Sequence, residues 1–305
     1  MSLQEQEQEP GPPVVERAQD VTVVVMTMNR TEDLRVSLGH HEAAVIVVDN
    51  GSSPPLGPVV AQVRPDAVCL RLPRNLGAVA RNLGVRRAST TYAAFADDDS
   101  WWAPGSLARA VAVLDAHPRL AVLAGRVLVG PEHRLDAVSE AMSRAPFGRD
   151  SDLPGPNIAG FLACGAVVRR TAFLAAGGFD PVVFFPGEEE RVCLDLLSAG
   201  WGLAYVEDVV AHHVPPPSAD SSTRQTLLAR NAVLTAWMRR PVTVALGRTI
   251  AAARSGRDGR AGVRAAVPRM PAALARRRRV PVDLERRLRR LEAVQRAERL
   301  GPPRH

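Results

Sequence analysis

The chain has 305 residues, 46% hydrophobic and 23% charged, a balance that excludes a disordered or fibrous protein and allows a sizeable core. All 39 basic residues are arginine, and they are unevenly placed: Arg239 to His305 holds 19 arginines against five acids, net +14, whereas residues 1–238 hold 20 against 27, net −7. No apolar run approaches the roughly 18 residues of a membrane span, and the acidic N-terminus lacks the apolar core of a secretory signal. A cytoplasmic protein is expected. Cys69, Cys164 and Cys193, an odd number without C-x-x-C spacing, argue against a disulfide framework or a thiolate zinc site and read as buried thiols.

Residues 1–20 read as a disordered tail. The β-branched run Val21 to Met28 then predicts a buried strand. A polar helix over Thr31–Leu38 leads to a second strand, Ala43 to Val48, so the chain opens as strand, helix, strand. A third strand over Ala67–Leu72 precedes a helix running to Ala88, and a fourth, Tyr92 to Ala96, ends in three aspartates. This alternation predicts an α/β fold with a mostly parallel sheet covered by helices. A helix announced by Pro104 ends near His117, before a strand at Leu120–Ala124. Pro131 to Pro156, rich in Pro, Gly, Ser and Asp, reads as a mobile loop beside the site. Next come a strand at Cys164–Val168, a short helix at Thr171–Ala176, a helix opening at Gly187-Glu-Glu-Glu190, and a strand from Leu203 that extends through Ala211. Pro215-Pro-Pro217 marks a boundary, giving a catalytic body over 21–218 and an arginine-rich extension over 219–305. The extension's helices are expected at Gln225–Met238, Val242–Ala253 and Asp283–Leu300.

Asp97-Asp98-Asp99 is the sharpest feature, because open α/β sheets bind ligands at the carboxyl ends of their strands. Alternation along an extended chain turns Asp97 and Asp99 the same way, as hard oxygen ligands for Mg2+ or Mn2+ carrying a diphosphate. Three adjacent carboxylates repel unless a cation compensates them. The competing reading is a turn and capping cluster before the Pro104 helix. Asp49, in Asp49-Asn50-Gly51-Ser52, ends the second strand within reach of a nucleobase or ribose, though Asn-Gly is also a hairpin signal. Asn75, Gly77, Arg81 and Asn82 surround a helix start whose amides suit a phosphate or a sugar, or serve close packing alone. Glu188 and Glu189 open a helix, where acids are stabilised by the macrodipole and where one would also serve as a general base; Phe184 and Phe185 would wall a pocket beside them. His212 and His213, adjacent on a strand, face opposite sides, so at most one joins an aspartate site.

In this order the motifs resemble the family-2 glycosyltransferases of GT-A fold, and most of all their rhamnosyltransferase-like branch. The resemblance rests on Val-Val-Asp-Asn-Gly-Ser (47–52), Arg-Asn-Leu-Gly-x-x-Ala-Arg-Asn-x-Gly (74–84), Phe-Ala-Asp-Asp-Asp (95–99), Gly-Gly-Phe-Asp (177–180), Phe-Phe-x-Gly-Glu-Glu (184–189), Ala-Gly-Trp (199–201) and His-His (212–213). It implies inverting, metal-dependent transfer from a nucleoside-diphosphate sugar, dTDP- or UDP-linked, to a hydroxyl of a cell-envelope glycan, a glycolipid or a metabolite. By resemblance, Asp49 would contact the nucleobase, Asp97 would lie near the nucleotide ribose and the metal, and Asp99 would be the principal metal ligand; Asp98 is counted with the donor-binding residues. His212, or failing it His213, would add a metal or diphosphate contact, and Glu189 would stand where the family has its catalytic Asp. The chain departs from Glu-Asp-x-Asp-Leu-x-x-Arg: it has Arg191 for the second acid and Asp195 for the arginine, as if a salt bridge had been swapped. The basic extension would hold the enzyme at an anionic membrane surface. Two other classes compete. One is a scaffold that kept nucleotide-sugar binding without catalysis. The other, nucleic-acid binding, ranks last because no aromatic residue follows Trp237.

Overall fold

In the computed structural model residues 20–144, 146–216 and 221–300 are described, so the expected N-terminal tail and the boundary at 218 lie outside them, Asp20 aside. β1 (Val21–Thr27), β2 (Ala44–Asp49), β3 (Val68–Arg71) and β4 (Tyr92–Asp97) form the all-parallel half of a nine-stranded sheet in the order β3-β2-β1-β4, with α1 (Thr31–Leu38), α2 (Gly57–Val63) and α3 (Val79–Arg87) as crossovers. These strands are continuous apolar runs because both faces are covered. Val21, Val23, Val25, Val45 and Val47 enter one core; Val24, Ile46, Val48 and Phe95 enter the other.

The second half of the sheet is mixed. β5 (Ser100–Trp102), α4 (Ser106–Ala116), β6 (Leu120–Val129), β7 (Arg134–Leu135), α5 (Ala137–Ser143), β8 (Ala166–Arg169), α6 (Arg170–Ala175), α7 (Glu189–Ser198) and β9 (Gly202–His213) follow in the chain. The sheet continues β4-β8-β6-β9-β5, antiparallel at every step except β6 to β9, and β7 pairs with β6. The stretch 131–156, expected as a loop, carries β7 and α5. Asp136 caps α5, its Oδ1 accepting from the Val138 (2.7 Å) and Ser139 (3.4 Å) amides.

The extension contributes α8 (Ser221–Arg239), α9 (Val242–Arg254), α10 (Arg257–Ala266), α11 (Met270–Ala275) and α12 (Val282–Leu300). Periodicity missed α10 and α11, where Gly259, Gly262, Pro268 and Pro271 read as breakers. Gly262 has a packing reason: a Cβ there would lie 2.7 Å from both the Ala229 Cβ and the Thr226 carbonyl, so glycine alone lets α10 approach α8. Two apolar clusters dock the extension. Val182 and Val183 pack with Val233, Leu234, Met238, Ala266 and Ala273. Phe147 and Leu194 pack with Val280, Leu284 and Leu288. Among the described residues no helix is long and apolar enough to cross a membrane.

Candidate active site

Parallel register gathers the candidate residues at one edge. Thr27 pairs with Asp49 and Met26 with Asp97, so β1, β2 and β4 end level, and the loops that follow them meet. Asp49 is fully buried. Its Oδ1 accepts from the Ser52 amide (2.8 Å), and its Oδ2 accepts from the Leu56 amide (3.1 Å) and from Arg71 (2.8 Å). Burial works against its charge, but the Ser52, Leu56 and Arg71 hydrogen bonds prevail and hold the carboxyl below its usual range. The neighbouring Asn50 stitches this loop to the next: its Nδ2 donates to Asn75 Oδ1 (3.0 Å) and the Gly77 carbonyl (3.2 Å), and its Oδ1 accepts from the Leu76 amide (2.8 Å). Gly77 has φ +61°, and a Cβ there would strike the Phe184 ring at 2.7 Å. Phe184 therefore clamps the Asn75–Gly77 loop and is not among the residues lining the cavity beside Glu189, and Phe185 is exposed. Asn82 exchanges two hydrogen bonds with the Phe179 backbone (2.8 and 2.9 Å), which makes it a brace for Gly-Gly-Phe-Asp.

The three aspartates are compensated by the chain's own arginines. Arg81, almost wholly buried, bonds Asp97 with one guanidinium nitrogen and Glu188 with another (3.1 Å). Arg30 approaches Asp99 (3.4 Å) and Asp98 (3.8 Å). Asp98, the member expected to turn away, is pushed up to about 7 by burial and by the adjacent carboxylates. Trp101 pairs with His212 and Ser100 with His213 across β5 and β9, so the two histidines diverge as expected. His213 joins the aspartates, its Nε2 3.3 Å from Asp99 Oδ1. Burial opposes its protonation, but the bond to Asp99 and the surrounding acids raise it above the ordinary histidine value. His212 faces elsewhere, packed between Trp101 (5.6 Å between ring centroids) and His133 (4.8 Å), and burial lowers it. Asp99 and His213 are thus the pair that meets. Among the described residues no three His, Cys, Asp or Glu side chains converge into a ready ligand set, because Asp97 is turned to Arg81.

Glu188 and Glu189 stand at the N-terminus of α7. Glu188 is buried, its Oε2 has no hydrogen-bond partner among the described residues, and burial followed by the Glu189 charge pushes it up to about 8. Glu189, partly buried, is raised by burial above all, in a field that includes Arg81 and Asp97. The swapped charges do pair. Arg191 bonds Asp195 one turn on, and Asp195 also receives Arg239 of the extension through both Nε and Nη2 (2.9 Å for the latter). Glu189 also lines a cavity of about 460 Å3, walled by α5, α7, α8, α9, α12 and the segment before β8. A larger cavity of about 670 Å3, beside α4 and the segment 149–156, contains none of the candidate residues.

Arg30 and Arg71 escaped the sequence reading. An arginine carries no local signature, and only the fold brings Arg71 to Asp49 and Arg30 to Asp99. No curated protein matches the chain. Solved structures of similar fold include the mannosyltransferase PcManGT from Pyrobaculum calidifontis in complex with GDP-Man and Mn2+ (TM-score 0.54, 20% identity, 84% of this chain and 74% of that one). GalNAc-T7 with UDP, GalNAc and Mn2+ is also similar (TM-score 0.57, 14% identity, 78% of this chain but only 51% of that one). So is S. aureus TarS 1-349 (TM-score 0.52, 16% identity, 93% and 92%). These likenesses show the fold. Residues 22–175, half of the chain, match the model of Glycosyl transferase family 2, and that match takes in the strand ends bearing Asp49 and the three aspartates. The chain belongs to glycosyl transferase family 2.

Proposed function

We propose that this family member transfers a sugar, with inversion, from a nucleoside-diphosphate donor to an acceptor hydroxyl, with Glu189 as the general base. The observation that carries the reading is the position of Glu189: it lies within the field of Arg81 and Asp97 and also lines the 460 Å3 cavity, so one carboxylate joins a donor side to an acceptor side. In the reaction the acceptor oxygen bonds to the anomeric carbon as the bond from that carbon to the diphosphate oxygen breaks. The nucleoside diphosphate leaves with the electron pair, and the hydroxyl proton passes to Glu189.

Asp99 and His213 offer a carboxylate oxygen and an imidazole nitrogen side by side, with Asp97 two residues before, a donor set that fits Mn2+ or Mg2+. A cation held there would stabilise the departing diphosphate. The Asp49 loop would frame the nucleobase, and the Asn75–Gly77 turn would meet the donor. The similar structures that hold GDP-Man or UDP justify adding GDP to the dTDP and UDP first expected. Rhamnose remains the sugar that the resemblance to the rhamnosyltransferase-like branch implies, and a cell-envelope glycan, glycolipid or metabolite the acceptor. Much of the extension's charge is engaged in docking: Arg239 to Asp195, Arg240 to Glu285 and Glu292, Arg248 to Glu190 and Glu292, Arg276 to Asp180. Membrane attraction would therefore fall to exposed arginines outside these pairs, such as Arg254, Arg257, Arg260 and Arg264, together with Arg278, Arg279 and Arg290; α9 also exposes Val242, Leu246 and Ile250.

The test is the unfolding temperature with dTDP, UDP or GDP, with and without Mn2+. One nucleotide should stabilise the wild type in a metal-dependent way, and Asp99→Ala should abolish that gain. Equal behaviour of the two proteins with every nucleotide would leave a scaffold that kept only the fold.

A further inference from the structure

The cavity beside Glu189 has a chemistry of its own. Its walls are apolar side chains drawn from five places in the chain: Met142 of α5, Phe147 and Phe161 of the segment before β8, Leu194 of α7, Leu228 of α8 and Leu291 of α12. Among the described residues lining it the single cation is Arg248, and that guanidinium is already held by Glu190 (2.6 Å) and Glu292 (2.7 Å). Asn157, one of the few neutral polar groups in the wall, donates to Asp150 (2.7 Å). At about 460 Å3 the space is within the range of small-molecule sites.

An acceptor bearing a phosphate would meet three glutamates, Glu189, Glu190 and Glu292, with no unpaired cation to receive it. A bare sugar would bury most of its hydroxyls against leucine and phenylalanine, because the polar lining is confined to Glu189, Asn157, Gln295 and the Arg248-paired Glu190 and Glu292. A neutral apolar body with one hydroxyl would gain from burial along the walls and place its oxygen at Glu189. We infer that this cavity is the acceptor site and that the acceptor is a small, neutral, largely apolar alcohol or phenol, with α8 and α12 of the extension forming the wall that selects it. The inference rests on the transferase reading above. The bond formed is from the acceptor oxygen to the anomeric carbon, the bond broken is from that carbon to the diphosphate oxygen, and Glu189 takes the proton. On this reading the extension defines the substrate class, whatever its role at a membrane.

The probe is the neutral fluorophore N-phenyl-1-naphthylamine, bound to the full chain, with 1-naphthol, farnesol, farnesyl phosphate and methyl glucoside as competitors. The same four compounds are offered as acceptors with nucleotide sugars, and products are detected by mass. Displacement and glycosylation by 1-naphthol or farnesol, but not by farnesyl phosphate or methyl glucoside, is the expected result. Ala232→Trp, which fills the cavity from α8, should weaken the probe about tenfold while leaving the metal-dependent nucleotide shift in place. Leu291→Gln on α12 provides a second variant with the same expected direction should Ala232→Trp fail to fold. The inference is overturned if methyl glucoside or farnesyl phosphate is glycosylated in preference, or if neither variant weakens the probe. Absence of the nucleotide shift in the wild type would instead sink the transferase reading, and the acceptor assignment with it.

Discussion

The two sides of the candidate site, the proposed donor side and the proposed acceptor side, are built in different ways. The former is made by backbone: three parallel strands end level, with Asp49 and Asn50 at the end of β2 and Asp97 at the end of β4, on either side of β1. The acceptor side is made by side chains from α5, α7, α8 and α12, whose positions depend on helix docking. A strand-end site inherits its precision from the hydrogen-bond ladder, whereas a helix-walled cavity is only as well defined as the ion pairs and apolar clusters that hold the helices. Arg239 to Asp195, Arg240 to Glu285 and Arg248 to Glu190 and Glu292 are such pairs, so the arginine-rich extension completes one side of the site and leaves the other to the sheet.

The sharpest way to separate the two sides is Glu189→Gln. Turnover should fall by about 10²–10⁴-fold, the usual loss for a general base, while the metal-dependent nucleotide shift survives; steady-state rates and unfolding temperatures read the two effects separately. Loss of both together would mean that α7 supports the donor as well. Next in size, Asp195→Ala should cost about 3–5 kcal/mol in denaturant unfolding, because it leaves Arg191 and Arg239 buried without their carboxylate. The exchange Arg191→Asp with Asp195→Arg should not restore that stability, since Arg239 would then face an arginine.

The third effect is spread over pH. The Glu188 carboxyl lies near 8 in the native state and near the ordinary 4.5 when unfolded, so between these values the native state holds a proton that the unfolded chain has lost. The stability this group contributes is full below about 4.5 and is lost as pH rises through about 8. Glu188→Gln should flatten the fall in stability over that window, by up to about 1.4 kcal/mol per pH unit in denaturant titrations. An unchanged slope would place the titration elsewhere.

The strand-end side was legible because its signals are local. Valine runs covered on both faces announce parallel strands, and Asp97-Asp98-Asp99 follows its strand directly. Alternation alone said that His212 and His213 would diverge, yet only the pairing of Ser100 with His213 showed which one meets Asp99. The swapped charges at Arg191 and Asp195 were readable at a spacing of four along one helix, but their third partner, Arg239, was not. α10 was hidden because its glycines, which periodicity reads as breaks, are required by close contact with α8.

Sequence alone determined the parallel half of the sheet, the strand ends that carry the aspartates and the glutamates at a helix start, because register, alternation and capping act over a few residues. Tertiary structure alone decided that Arg30 and Arg81 neutralise those aspartates, that Phe184 clamps Gly77, and that an apolar cavity opens beside Glu189. Each of these joins residues far apart in the chain, and burial and ion pairing act across space with no trace in the local pattern.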